Sequence, residues 1–460
     1  MTGEAQPHGA RQQWAWRLFQ ATLFTLPWIG MGVMTLATGR DLGAGLQPSW
    51  LLMTAVVLLS GPELLVYLGR QRRFVLVFVL PAALALLVSV AGLWLAPVGE
   101  PLGETLLRYL KQVIQLDVML VFVLVPAFFM ARGHRLAELA GPLVAGAVFQ
   151  GIYSLLQGVH FYHPVVLMAA LERVFTANPS ILAGSEHLYL GNVLRDMPRL
   201  RGTACEPLYL GNFLLLAIPL VWLTSWPRRR QHLIGAGLLV ILVLTWSRGA
   251  WLAGVAAALL FLLGASQKGN GLPWRPLARG AAIGLSVVAV VWLAGVWAGR
   301  PEVWLPWQRL QQTFSMVDWS NLTRLYSMQA AWRAFLLSPL AGIGWGQFGY
   351  HFPVLVDPMG LQSMFSWPVV NNFPLAILCE TGLLGFGSFL WMVARLNRSV
   401  WRRLSGGPQS GRLTVLVLAV AVGGVWLQLL TFSQYNLPHI WVAVGLLLGK
   451  LAPAAEKQEN

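Results

Sequence analysis

Arginine and glutamate stand close together in the stretch RLRGTACEPLYLGN, at residues 199–212. Arg199, Arg201 and Glu206 come directly before an apolar run long enough to enter a membrane. The guanidinium group keeps its charge and donates paired hydrogen bonds to phosphate oxygens, whereas a carboxylate can accept a proton. These residue types indicate a site for an anion with a carboxylate beside it. An ion pair that only anchors the helix end is the alternative.

Two further candidate arginines follow later in the sequence, one at a turn and one in a predicted helix. Arg248 lies in TWSRGAW, at the turn between two short apolar runs. Arg324 lies in a predicted helix that Asn321 or Thr323 caps and that runs to about Leu337. Arg333, nine residues after Arg324, is about half a turn away around that helix. Only one of these two arginines can therefore face a common pocket, and we expect it to be Arg324.

The segments after this helix carry the remaining polar candidates. Glycines 342, 344 and 346 of GIGWG allow tight turns and a close approach of backbones, and His351 follows them. Asn371 and Asn372 stand at the start of a later apolar run, and Glu380 lies about two turns deeper on nearly the same face. A carboxylate inside a membrane needs a partner, such as an arginine or a helix terminus. The alternative for Glu380 is a purely structural role, in which it holds membrane spans together.

The composition identifies the class of protein. Of the 460 residues, 57% are hydrophobic and only 11% are charged, and the mean hydropathy is +0.63. Such a chain is a polytopic membrane protein, and its net charge of +15 does not indicate nucleic-acid binding because no soluble domain presents it. Two cysteines and unspaced histidines predict neither a disulfide framework nor a metal site. The first apolar run lacks a clear cleavage site, so we expect a retained span.

Apolar segments of membrane-spanning length recur about twelve times, which predicts an all-α bundle in one transmembrane domain, 1–460. The spans are expected near the following residues: 16–37, 49–68, 74–96, 114–131, 137–158, 206–226, 232–247, 250–265, 281–299, 373–393, 413–431 and 438–452. The loops on one side, with both termini, hold 20 of the 32 lysines and arginines, so that side is expected to be cytoplasmic. No internal repeat of the kind found in inverted-repeat transporters is visible.

Two long loops, 159–205 and 300–372, lie on the opposite side and carry most of the other 12 basic residues. Lysine and arginine are usually concentrated in cytoplasmic loops. Arginines in outer loops therefore indicate anion binding there. We therefore expect the functional site to be extracytoplasmic, with a short helix and a glycine-rich turn in the second loop.

The order of four motifs resembles the O-antigen ligase and polymerase family. These motifs are R-x-G…E-P, S-R-G-A-W-L-A, R…W…P-L-x-G-I-G-x-G-x-F and N-x-x-L-x-x-x-x-E-x-G-L-x-G, and they cover roughly residues 195–395. The family consists of bacterial membrane glycosyltransferases that act on polyprenyl-diphosphate-linked glycans. The resemblance implies a helical bundle in the inner membrane with a periplasmic site and neither metal nor cofactor. It further implies that Arg201, Arg248 and Arg324 bind the diphosphate. From their own positions in the sequence, we expect substrate or structural support from Arg199, Asn371, Asn372 and Glu380.

Glycosyl transfer also needs a group that takes the proton of the acceptor hydroxyl. Glu206 is the first candidate because it is the only carboxylate within the arginine-rich motif, and His351 is the second. The alternative role of Glu206 is only to orient Arg201. Ligases of the family place a histidine just before the asparagine of the fourth motif, whereas this chain has Asn371. This departure favours a polymerase of lipid-linked repeat units.

Three alternatives stay open from the sequence. The first is a ligase that moves a finished glycan onto lipid A core or protein, and the second is a transporter or flippase of an anionic lipid-linked substrate. A transporter should have polar residues at the membrane midplane and a two-fold repeat, whereas here the arginines collect at one face. The third is a scaffold. The expected partners are the lipid-linked glycan, membrane lipid and other proteins of polysaccharide assembly and export.

Overall fold

The computed structural model describes residues 9–40, 46–178, 199–204, 206–266, 319–360, 367–406 and 411–452, with isolated positions 293, 297, 308 and 311. The regular structure in these residues is helical throughout, which confirms the predicted all-α class. The predicted span near 281–299 and the first part of the predicted loop 300–372 lie outside the described residues, apart from those isolated positions.

The first part of the chain forms seven helices of very different lengths. They are α1 (Ala10–Thr25), α2 (Val33–Thr38), α3 (Pro48–Arg70), α4 (Val75–Leu95, which opens with a π-helical turn at Val75–Val79), α5 (Leu102–Ala131), α6 (Leu136–Tyr162) and α7 (Val166–Phe175). A single turn, Arg72–Phe74, connects α3 to α4.

The later part begins with α8 (Pro207–Leu220), which ends in a 3-10 turn at Val221–Leu223. The remaining helices are α9 (Arg228–Leu244), α10 (Arg248–Ser266), α11 (Trp319–Leu337), α12 (Phe348–Val356), α13 (Phe373–Gly406), α14 (Arg412–Gln428) and α15 (Pro438–Leu451). Both α8 and α15 have proline in the first turn, where its missing N–H leaves no bond unmade.

Six of the described helices are long and apolar enough to cross a membrane: α3, α4, α5, α6, α10 and α13. Shorter apolar helices lie at Pro207–Leu223, Arg412–Gln428 and Pro438–Leu451. The chain is therefore a multi-pass membrane protein, and the total of about twelve spans stays a prediction. No single helix covers the span predicted near 16–37, since α1 ends at Thr25 and α2 begins at Val33. Pro27 lies at this interruption and cannot donate a helical hydrogen bond.

A buried polar network connects α8, α14 and α15 inside the apolar core. The Asn212 amide nitrogen donates to Gln428 Oε1 at 3.1 Å, and His439 Nε2 donates to Asn212 Oδ1 at 2.8 Å. Gln428 in turn donates to the backbone carbonyl of Leu208 at 3.0 Å. All of these side chains are fully buried, so each bond replaces one that water would otherwise supply. The network fixes the first turn of α8 against the neighbouring helices.

Helix α13 is broken at Gly382, where φ is +63° and ψ is −169°. The loop that follows α11 fills the break. Leu383 and Leu384 donate backbone hydrogen bonds to the carbonyls of Pro339 and Leu340, at 2.8 and 3.3 Å. In the other direction, the carbonyls of Cys379 and Glu380 accept from Ile343 (2.9 Å) and Gly344 (3.1 Å). The loop therefore satisfies backbone groups that the broken helix leaves open.

This docking requires glycine on both sides. A Cβ on Gly382 would overlap the carbonyl of Leu340, and a Cβ on Gly342 would overlap the backbone of Glu380. Gly342 also has a positive φ of +74°, as do Gly344 and Gly346 further along the loop. The glycine loop, residues 339–346, thus packs backbone against backbone on α13, and α12 starts two residues after it.

Substitution of Gly382 tests this arrangement. Gly382→Ala should lower the thermal unfolding temperature of the detergent-purified protein strongly, because this backbone conformation, which is essentially confined to glycine, costs about 1–3 kcal/mol for a residue with a Cβ and the clash adds to it. Gly387→Ala is the matched control in the same helix, since a Cβ there meets nothing within 4 Å. It should leave the unfolding temperature unchanged or raise it slightly. Equal unfolding temperatures for the two variants would contradict the proposed docking.

Candidate functional site

The segment 199–204, which carries two of the predicted site arginines, is held by side chains of α6. Gln157 Oε1 accepts from the Gly202 backbone at 3.0 Å, and Gln150 Oε1 accepts from the Thr203 backbone at 2.8 Å. The Thr203 hydroxyl also donates to the carbonyl of Pro27 at 3.1 Å. With this many fixed backbone groups the segment has little freedom, so its arginines are positioned before any ligand binds.

Arg201 forms an ion pair with Glu172, a residue of α7. The other oxygen of the same carboxylate accepts from the Tyr153 hydroxyl at 2.8 Å and from Gln157 at 2.7 Å. Arg201 is only 5% exposed, so the pair compensates a charge that burial would otherwise destabilise. The sequence interpretation placed Arg201 with Glu206 and missed Glu172. The sequence contains one indication of this partner, because Glu172 is one of three acidic residues in the predicted loop 159–205.

Glu206 stands at the N-cap of α8, where Pro207 begins the helix. Burial raises the pKa of this carboxyl group, and the positive charges of Arg199 and Arg324 oppose the rise. Arg199 comes from the segment before α8 and its Nε donates to the carbonyl of Thr245 at 3.4 Å. Arg324 comes from α11. One carboxylate thus lies within the electrostatic reach of two arginines that are distant in sequence.

Arg248 is the first residue of α10 and is 7% exposed. Its Nη2 donates to Asn321 Oδ1 at 3.1 Å, and Asn321 lies in the first turn of α11, one turn before Arg324. Two residues before Arg248, Trp246 has a φ of +54°, a left-handed conformation that costs about 1–2 kcal/mol for such a residue. This turn brings the chain directly from α9 into α10 and sets Arg248 at the helix start.

These contacts bring four of the predicted site residues to one place. Glu206 interacts electrostatically with Arg199 and with Arg324, and Arg248 is joined to the same end of α11 through Asn321. We call Arg199, Arg248, Arg324 and Glu206 the arginine cluster. The starts of α10 and α11 add the partial positive charge of helix N-termini. Three guanidinium groups and one carboxylate leave the cluster positive, as an anion site requires.

Asn371 and Asn372 lie beside the cluster with different roles. Asn371 donates from its backbone and its side chain to the Ser327 hydroxyl, at 3.2 and 3.1 Å, and Ser327 follows Arg324 by three residues on α11. Asn372 caps α13, since its Oδ1 accepts from the Leu375 backbone at 2.9 Å. Its amide also donates to the carbonyl of Leu430 at 3.1 Å. Asn371 therefore connects the start of α13 to the helix that carries Arg324.

Glu380 and His351 lie at the glycine loop. The carboxylate of Glu380 accepts from the backbone N–H of Phe348 at 3.1 Å and from that of Gly346, so it is bound by the N-terminal turn of α12. His351 lies within α12 and is 4% exposed, and burial lowers its pKa to about 4. Within the part of the chain that the structure describes, neither residue has a recorded contact with the arginine cluster.

Comparison with known protein families adds an independent finding. Residues 233–390 match the family described as O-antigen ligase. This match supports an O-antigen ligase-like family for the chain. The matched segment includes Arg248, Arg324, Asn371 and Glu380, whereas Arg201 and Glu206 precede it. No curated protein matches the chain. An O-antigen ligase-like protein implies glycosyltransferase chemistry on a lipid-linked glycan in the membrane.

The residues of the arginine cluster suit such a substrate chemically. Arginines donate to diphosphate oxygens, and the carboxylate of Glu206 accepts a proton when it is ionised. Among the described residues, no group of three histidine, cysteine, aspartate or glutamate side chains has the arrangement of a metal site.

Removing the charge of Glu172 tests the support under Arg201. Glu172→Gln should lower the thermal unfolding temperature clearly, because a buried arginine that loses its ionic partner costs about 3–5 kcal/mol. Glu63→Gln is the matched control, since the Arg11–Glu63 pair is 3.8 Å long with Arg11 half exposed. A surface pair of this kind contributes about 1 kcal/mol or less. Equal, small losses in both variants would contradict a supporting role of Glu172.

Proposed function

We propose that this chain is a polysaccharide polymerase of the bacterial inner membrane. It joins polyprenyl-diphosphate-linked oligosaccharide repeat units at the outer side of that membrane, with both termini in the cytoplasm. The observation that carries this proposal is the convergence of Arg199, Arg248, Arg324 and Glu206 at the starts of α8, α10 and α11. The O-antigen ligase-like segment at 233–390 supports the same class of chemistry.

The proposed donor site binds the diphosphate through Arg201, Arg248 and Arg324, with Arg199 in support. Each charge-assisted hydrogen bond to phosphate contributes roughly 1.5–3 kcal/mol. Arg248 donates to Asn321, which lies one turn before Arg324 on α11, so the two guanidinium groups are expected to approach one ligand together. Arg201 is oriented by Glu172. Negative charge grows on the diphosphate as it leaves, so these arginines stabilise the transition state more than the ground state.

Glu206 is the proposed general base. The hydroxyl oxygen of the acceptor sugar attacks the anomeric carbon of the donor sugar, while the bond from that carbon to the phosphate oxygen breaks. The diphosphate departs with the bonding electron pair, and the hydroxyl proton passes to the carboxylate of Glu206. His351, the second candidate for the base, lies at the glycine loop on α12 instead. Glu206 is preferred because two arginines of the cluster act on it directly.

A ligase is the second candidate function, and the description of the matching family favours it. A ligase uses the same donor and the same leaving group but transfers the finished glycan to lipid A core or protein. The two functions differ in the acceptor. A transporter of the same lipid-linked glycan would make no new glycosidic bond, so the covalent product separates it from both enzymes.

Complementation of a host that lacks its own polysaccharide polymerase tests the proposal. Wild type should restore a ladder of glycan lengths on a gel. Arg248→Ala and Arg324→Ala should each reduce polymer by about a hundredfold or more, as expected for a donor that stabilises developing charge. Arg333→Ala is the matched control on the same helix, because Arg333 is exposed and donates to the carbonyl of Leu355 at 2.7 Å. It should leave the ladder intact.

The gel also separates the alternatives. Single repeat units on the surface without a ladder would indicate a ligase or a flippase. A ladder that survives in well-expressed Arg248→Ala and Arg324→Ala variants would contradict the proposed diphosphate site. Membrane expression of each variant is checked by immunoblot so that loss of protein is not read as loss of activity.

The pH dependence of polymer synthesis tests the role of Glu206. A general base works in its ionised form, so the rate should fall as the pH falls through the pKa of Glu206. Arg199→Gln removes a positive charge that lowers this pKa, so the acid limb should move to higher pH. Arg333→Gln should not move it. An acid limb at the same pH in wild type and Arg199→Gln would rule out Glu206 as the titrating base.

A further inference from the structure

A cavity of about 230 Å³ lies where the segment between α4 and α5 meets α12. The described residues that line it include Trp94, Glu100, Gln347 and His351, and none of the arginine cluster. Drug-sized ligands occupy roughly 300–1,000 Å³, so this cavity suits a ligand of about one sugar ring. The segment between α4 and α5 is on the predicted outer side.

Gln347 presents a buried hydrogen-bond acceptor here. Its side chain is 1% exposed, and its amide nitrogen donates to the carbonyl of Thr105 at 3.0 Å. That bond fixes which way the amide points. The amide oxygen is buried and has no hydrogen-bond partner among the described residues. A buried oxygen without a partner costs about 1–3 kcal/mol, so a ligand that donates to it gains affinity.

His351 offers the complementary groups. Burial lowers its pKa to about 4, so the imidazole is neutral at pH 7. A neutral imidazole has one N–H donor and one nitrogen acceptor. It therefore matches a hydroxyl group, which both donates and accepts. The lining residues thus offer donor and acceptor positions without a positive charge.

Trp94 supplies an apolar surface beside these groups. It is 59% exposed although it lines the cavity, so one part of the indole is open to a ligand. Glu100, also in the lining, disfavours an anion, and no described lining residue is a lysine or arginine. A lipid tail would leave the Gln347 oxygen unsatisfied. The ligand that fits this lining is a neutral ring with hydroxyl groups on its edges and an apolar face.

We propose that this cavity is a saccharide subsite that binds one neutral pyranose of the glycan substrate through Gln347 and His351, against Trp94. The inference rests on the proposed function, since it assigns a sugar of that substrate to a second place on the protein. No residue of the arginine cluster is among the described residues that line the cavity. The subsite is therefore assigned to positioning the glycan chain rather than the reacting bond.

Saturation-transfer NMR on the full-length protein in lipid nanodiscs tests the subsite directly. The probes are the methyl glycosides of neutral hexoses and, for comparison, the methyl glycoside of the matching uronic acid. At least one neutral glycoside should bind the wild type, and the uronate more weakly. Trp94→Ala and His351→Phe should each weaken binding about tenfold, the equivalent of one lost contact or hydrogen bond. His351→Phe keeps a ring of similar size, and Trp94→Ala changes an exposed side chain.

Trp401→Ala is the matched control, because Trp401 is 56% exposed and lies in α13 away from the cavity lining. It should bind the glycoside as the wild type does. Wild type that binds no neutral glycoside, or equal affinity in all variants, would overturn the subsite. So would a phospholipid that native mass spectrometry finds bound to wild type and lost from both cavity variants.

Arg324→Ala separates this inference from the proposed function. It should bind the methyl glycoside as tightly as wild type while it fails to make polymer. If polymer synthesis survives Arg324→Ala and glycoside binding still depends on Trp94 and His351, the diphosphate assignment fails and the saccharide subsite stands. If polymer is lost in Arg324→Ala but the glycoside affinity is unchanged in Trp94→Ala and His351→Phe, the subsite alone fails.

Discussion

The break in α13 is the constraint on which the rest of the site depends. Inside a membrane protein, backbone groups opened by a broken helix must find partners within the protein. Here the loop 339–346 provides them, and it can approach only because Gly342 and Gly382 lack a Cβ. The same loop ends α11 and leads into α12, whose first turn binds Glu380. The relative positions of α11, α12 and α13 therefore follow from one backbone contact, and Arg324 is placed through α11.

The burial of charged side chains is the second constraint on the structure. Arginines with little exposure need anionic partners, and the chain meets this need in two ways. Arg201 is paired with Glu172, whose other oxygen accepts from Tyr153 and Gln157, so that pair holds the Arg201 guanidinium in a fixed orientation. Glu206 instead lies near two arginines, which leaves positive charge in excess. In the proposed reaction a substrate diphosphate balances this excess of positive charge, which connects the packing of the fold to that proposal.

Sequence reasoning reached the helical class, the positions of most apolar helices and the O-antigen ligase-like family, because these depend on local hydropathy and on motif order. It could not find Glu172 as the partner of Arg201, since that pair depends on how α7 folds back on α6. Nor could it predict the break at Gly382, because glycine in an apolar run is compatible with a continuous helix. Arg324 was preferred to Arg333 from helical spacing, and its interaction with Glu206 follows from tertiary packing. The catalytic and binding roles of these residues stay predictions.

The central claim is that the arginine cluster binds a polyprenyl diphosphate, and electron cryomicroscopy of the full-length protein in nanodiscs with that lipid tests it most directly. We expect density for the diphosphate between Arg248 and Arg324, within hydrogen-bond distance of both guanidinium groups, with Glu206 facing the first sugar. The same map of Arg324→Ala should lack this density. Diphosphate density at another face of the protein, or unchanged density in Arg324→Ala, would contradict the account.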